Sequence, residues 1–194
     1  MNPVFPIARR LLRLLAVAAL AGAGWAHAAD ERAANEHATD GYAGIAQLIK
    51  EGKPQEALTQ LEPRIAANPR DPQLRFLRGV AQTDAGQQAE AVDTFTQLTE
   101  QYPELPEPYN NLAVIYASQN LLDKARAALE MAVRVKPDYA TAYENLGDIH
   151  ARLAMQSYER AQQINRAAAV APKLKLLREL LTPPARPAPA AASH

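Results

Sequence analysis

Apolar residues recur along the middle of this 194-residue chain with the spacing of helices packed on one side. In the stretch 106–139, Tyr109, Leu112, Ala113 and Tyr116 fall at i, i+3, i+4 and i+7, and Ala125, Leu129 and Ala132 follow before Pro137. A 3.6-residue period set off by turn residues predicts two amphipathic helices in hairpin order. The pattern returns every 34 residues: Pro69, Pro103 and Pro137; Ala57, Ala91 and Ala125; Leu61, Phe95 and Leu129; Gly79, Ala113 and Gly147. Four columns in register are an internal repeat of paired helices, units that bury their apolar faces by stacking.

Tyr109-x2-Leu112-Ala113-x2-Tyr116, then Ala125, Leu129, Ala132 and Pro137, resembles the tetratricopeptide repeat in nearly its full signature. The resemblance implies an all-α helix-hairpin solenoid wound as a right-handed superhelix. It also implies a non-catalytic role in binding a protein or peptide on the concave surface. It covers residues 38–139 well and 139–164 partly.

The repeats are expected at 38–71, 72–105 and 106–139. The first is degenerate: Gly41, Gly44 and Ile45 stand where larger and smaller residues respectively are usual, and Pro63 falls inside its second helix, where it should bend it. In the second, Leu74, Leu77, Gly79 and Ala81 pack the first helix and Ala91, Phe95 and Leu98 the second. Gly79, Ala113 and Gly147 are read as small because the paired helix crosses there at close range. The fourth unit, 140–170, departs from the pattern. Tyr143, Leu146 and Gly147 are present, as is an Ala154-x3-Tyr158-x2-Ala161 run, but the halves are five residues too close and no turn residue separates them. Tyr143, Leu146, Ile149, Leu153, Tyr158, Ala161 and Ile164 keep to one side of a helix, so one long helix over about 139–170 is expected. A short capping helix at 172–181 carries Leu174, Leu177, Leu180 and Leu181 on one face. The tail 182–194 is rich in Pro and Ala, a composition that builds no core and is expected to be disordered.

Residues 1–28 read as a secretory signal peptide. Arg9, Arg10 and Arg13 precede an apolar run of about 11 residues, and Ala26-His27-Ala28 offers a small-residue cleavage site. That run is short of the ~20 residues a membrane-spanning helix needs, so no lasting membrane anchor is expected. Arg9-Arg10 before Leu12 and Arg13 also fits a twin-arginine leader. Arginine pairs are ordinary in such segments, and the general secretory route is the expectation. The chain holds no cysteine, which excludes a lipid-attachment cysteine and a disulfide framework. An Ala- and Arg-rich, Lys-poor composition behind this leader looks bacterial, and the periplasm is the expected compartment. Residues 29–37 are polar and Ala-rich and are expected to form a flexible lead-in.

Charge narrows the partner. Removing 1–28 takes three of the 21 Lys and Arg and none of the 21 Asp and Glu, leaving −3, so no bulk attraction to nucleic acid is expected. No basic residue lies between Arg78 and Lys124, whereas Asp84, Glu90, Asp93, Glu100, Glu104, Glu107 and Asp123 do. From Arg152 onward, Arg152, Arg160, Arg166, Lys173, Lys175, Arg178 and Arg186 face only Glu159 and Glu179. The acidic middle is either a solvated face or a field that steers a basic partner.

Chemistry of a catalytic kind is sought and not found. The four histidines share no metal-ligand spacing, there is no Gly-rich phosphate loop, and Ser118 and Ser157 have no neighbouring base. No cofactor and no metal are expected, and the chain is not read as an enzyme. The arc beside the apolar quartets is the candidate partner groove: Phe76, Val80 and Asp84 from the second repeat, Asn110, Asn111 and Val114 from the third, Glu144, Asn145 and Asp148 from the fourth. Phe76 and Val80 are expected as surface apolar anchors. Asn111 and Asn145 hold equivalent places, where in peptide-binding members of the resembled family asparagines pair with an extended backbone; as common consensus residues they could equally cap neighbours. Lysines that clamp a carboxylate in the chaperone-binding members are absent from repeats two to four. The groove leads to an adaptor or scaffold in the cell envelope. Alternatives are a structural assembly factor of a secretion, pilus or polysaccharide-export machine, or an accessory subunit of a cell-wall enzyme.

Overall fold

The computed structural model describes residues 41–166 and 169–182. The expected leader, the lead-in 29–37 and the tail from 183 on lie outside the described residues. Among those described, every regular element is helical. Helix α1 runs through 41–50, followed by α2 (Pro54–Ala67), α3 (Pro72–Asp84), α4 (Gln88–Gln101), α5 (Pro106–Ser118) and α6 (Leu122–Val135). Then come α7 (Ala140–Ile164) and α8 (Ala171–Leu181).

Proline opens α2, α3 and α5, where its missing N–H is one that no helix would satisfy. Asp71 caps α3, its carboxylate accepting from the N–H groups of Gln73 and Leu74 at 2.8 and 3.1 Å. Within each hairpin the chain turns through one left-handed residue: Gly52 (φ 75), Gly86 (φ 78) and Asn120 (φ 60), again 34 apart. The residue in register in the fourth unit is Ala154, whose Cβ disfavours that conformation. The chain therefore does not turn, and α7 continues unbroken for 25 residues. It ends at Ile164, six residues before the expected 170, with Asn165 at its C-terminus.

Two apolar clusters run through the stack. The first joins α1 to α5 around Ile45, Leu61, Leu77, Phe95 and Ile115. The second joins α5, α6 and α7 around Ala113, Leu129, Ala132, Ala142 and Ile149, and Tyr116 and Ala128 lean on both. Phe95 is fully buried against α3, and a Cβ on Gly79 would fall 2.6 Å from its ring, so the crossing requires glycine. Gly147 corrects the reading by register: a Cβ there would meet nothing within 4 Å. With the fourth hairpin unfolded into one helix, no partner helix crosses at that point.

Helix α8 folds back antiparallel on α7. Leu174 is buried and Leu177 half-buried, whereas Leu180 is 69% exposed and leaves the face expected of it. Lys173 sits 5.1 Å from the centre of the Tyr158 ring, and Arg178 pairs with Glu159 at 3.3 Å.

Candidate partner groove

The first helices α1, α3, α5 and α7 line the inner surface of the stack. The structure keeps less of it open than the sequence suggests. Val80 is 2% exposed and belongs to the first apolar cluster, and Val114 is 8% exposed beside Asn145 and Ile149, so neither is a surface anchor. Phe76 is half-buried, its ring 5.8 Å from that of Phe95 and tilted by 56°. A helix stacked between two neighbours offers a narrower outer arc than an isolated wheel implies, and these apolar groups take the covered part.

The amides are engaged within the chain. Asn110 and Asn145 are buried at 7% and 4%, and Asn145 Nδ2 donates to Asn110 Oδ1 at 2.7 Å, stitching α5 to α7. Asn111 holds the place equivalent to Asn145, but the residue in register with Asn110 is Phe76, which offers no acceptor. Asn111 Nδ2 turns instead to the carbonyl of Glu107 in its own helix, at 2.9 Å. Asn145 Oδ1 is the exception: it is buried and accepts no hydrogen bond. It borders a cleft lined by Val114, Asn145, Asp148, Ile149, Arg152 and Leu181, among others. Sequence reasoning placed Arg152 and Leu181 elsewhere. Arg152 is in register with Asp84 and Ser118, so the repeat could have found it; Leu181 arrives only through the fold-back of α8.

What remains accessible on this surface is acidic. Asp84 and Glu144 are exposed, and Glu107 and Asp148 half-exposed. Although the residue as a whole is exposed, partial desolvation of its carboxyl by the neighbouring helices pushes Asp84 up to about 6. Burial and the charge of Glu144 push Asp148 up as well, and Arg152 opposes them. The basic side chains of α8 are committed locally rather than to the acidic middle: Arg178 to Glu159, Lys175 to Glu179 at 3.9 Å, Lys173 to Tyr158. Among the described residues there is no cluster of side chains that would hold a metal ion, and no helix is long and apolar enough to cross a membrane.

Two family models match, one described as a tetratricopeptide repeat over residues 47–106 and one as a TPR repeat over 115–153. The chain is 41% identical over 61 residues to the chloroplast tetratricopeptide repeat domain-containing protein PYG7 of Arabidopsis thaliana. That match covers 29% of this chain and spans only 20% of PYG7. Among solved structures, TTC0263 of Thermus thermophilus superposes with a TM-score of 0.57 at 23% identity, over 74% of this chain and 82% of that one. The first TPR domain of RPAP3, solved with an HSP90 peptide, gives 0.55 at 20% identity, over 60% and 93%. YrrB, described as a TPR protein with an unusual peptide-binding site, gives 0.50 at 30% identity, over 54% of each chain.

Proposed function

Since this chain belongs to the tetratricopeptide repeat family, we propose that it is a non-catalytic adaptor that holds an extended, basic protein segment against the inner surface of α3, α5 and α7. The observation that carries this reading is the chemistry left open there. Asp84, Glu107, Glu144 and Asp148 reach solvent along first helices. An acidic rim selects and steers a positively charged partner. Solved structures of this fold include one bound to an HSP90 peptide and one described as having a peptide-binding site, which supports the class of partner.

We place the adaptor in the bacterial periplasm on the strength of the leader-like residues 1–28. Sequencing the N-terminus of the isolated protein should then find Ala29 or Asp30; finding residues 1–28 retained on a membrane-bound chain would refute the placement. The groove itself is tested by a photo-crosslinking side chain installed at Glu144 and, as a control on the outer side, at Glu130. A partner captured from position 144 and not from 130 supports the groove. Equal capture from both, or from 130 alone, removes it.

A further inference from the structure

The seam between α3 and α4 breaks the repeat. In the third unit six positions along the helix pair are apolar: Tyr109, Leu112 and Tyr116 on α5, Ala128, Met131 and Val135 on α6. In the second unit the same six positions hold Arg75, Arg78 and Gln82 on α3, and Thr94, Gln97 and Gln101 on α4. At 100° per residue the three on α3 share an arc of roughly 60°. Two of them bond across the seam. Arg75 donates to Gln101 Oε1 at 2.6 Å and to Gln97 Oε1 at 3.3 Å, and the Thr94 hydroxyl donates to Gln82 Oε1 at 2.8 Å.

Every acceptor in this seam is neutral. Arg75 is 5% exposed, and Arg78 is half-buried with its Nε covered and without an acceptor. Among the described residues neither guanidinium pairs with a carboxylate. Three residues apart on one helix, the two cations are neighbours. Burial, and after it the charge of Arg75, weakens the hold of Arg78 on its proton. A buried cation is ordinarily paired, because neutral dipoles return only part of the hydration it gives up. Packing does not require charge here, since the third unit closes the same seam with apolar side chains. The seam also reaches the surface, where Gln97 and Gln101 are exposed.

We propose that Arg75 and Arg78 bind a small dianionic oxyanion of the phosphate class where this seam opens to solvent. Two adjacent guanidiniums match a double negative charge better than a single carboxylate does, and their forked N–H groups suit tetrahedrally arranged oxygens. Each glutamine that accepts from Arg75 through Oε1 keeps an Nε2 to donate to the same anion. The site lies on the side of α3 turned to α4 and is separate from the acidic inner surface.

The full-length chain is titrated with inorganic phosphate at constant ionic strength, followed by calorimetry and by thermal melting. The expected result is saturable binding and a melting temperature that rises with phosphate, since a ligand of the folded state alone stabilises it. Sulfate should act alike, and acetate should not. Glycerol phosphate separates the sources: binding as tight as phosphate assigns the site to the phosphate group of a larger molecule, and much weaker binding assigns it to the free anion. Arg78→Leu, which places there the residue type of Leu112, and Arg78→Gln should each keep their ellipticity and weaken phosphate binding about tenfold or more. Arg134→Gln, at an exposed position of α6, should leave it unchanged. The proposal is overturned if phosphate shows no saturable binding, if acetate binds as well as phosphate, or if both Arg78 variants bind phosphate like the unsubstituted chain.

Discussion

At the scale of single residues, the buried amide pair shows how polar groups are placed between repeats. Replacing Asn110 with Ala strands the amide of Asn145 in a buried site and should lower stability by ~1–3 kcal/mol in denaturant titration. Replacing both, Asn110 by Ala and Asn145 by Leu, should recover most of that loss, because no buried donor or acceptor is then left unpaired. Asp84 bears on pH. Its folded-state value of about 6 stands above the ordinary 3.8, so between them the folded chain holds more proton than the unfolded one. Stability should fall as pH rises from 4 to 6 and level off above, and Asp84→Asn should remove that slope. As the residue is exposed to solvent, the slope should amount to ~1 kcal/mol or less after screening. Two glycines in register should answer oppositely to alanine: Gly147→Ala gains helix propensity at no steric cost and should stabilise by ~1 kcal/mol. Gly79→Ala drives a methyl into the Phe95 ring and should destabilise by ~1–3 kcal/mol, both read as shifts in the denaturation midpoint.

At the scale of elements, the long helix is the departure that sets the rest. Its cause is local: where Gly52, Gly86 and Asn120 turn the chain, Ala154 does not. Met155→Pro, one residue on, removes a hydrogen bond from the middle of α7 and should cost ~3 kcal/mol or more, seen as lost ellipticity and a lower melting temperature. A neutral result would mean the chain turns near residues 153–156 after all. The continuity of α7 was legible from the missing turn and the unbroken apolar phase. Its end at Ile164 was not, because no strong stop signal precedes Pro172. Nor was the outward turn of Leu180, since a leucine-rich helix of 11 residues offers more than one face and only its docking on α7 selects between them.

At the scale of the whole molecule, each unit contacts mainly its neighbours, so opening should begin where a terminal pair is weakest. Helix α1 carries Gly41 and Gly44, and α2 holds Pro63 in its interior, where one backbone hydrogen bond is lost. Amide hydrogen exchange should therefore find α1 and α2 opening at lower free energy than α4 to α6. Uniform protection across these helices would mean that the stack unfolds as one unit and that the first pair is no weaker than the rest.

The sequence by itself determined the repeat, its 34-residue period, the helix pairs and the unbroken helix of the fourth unit, because these follow from apolar phase and turn chemistry that act within a few residues. The apolar positions of the second and third repeats could be assigned to the core for the same reason, whereas Tyr143 of the fourth is 50% exposed. Only the tertiary structure decided which residues of the neighbouring arc stay open. Val80 and Val114 are covered, Asn110 and Asn145 bind each other across two helices, Gly147 lies bare, and Leu181 reaches the groove from the far end of the chain. Each of those outcomes depends on how close a neighbouring helix comes, and a helical wheel carries the angle of a side chain but not the distance to what lies opposite it.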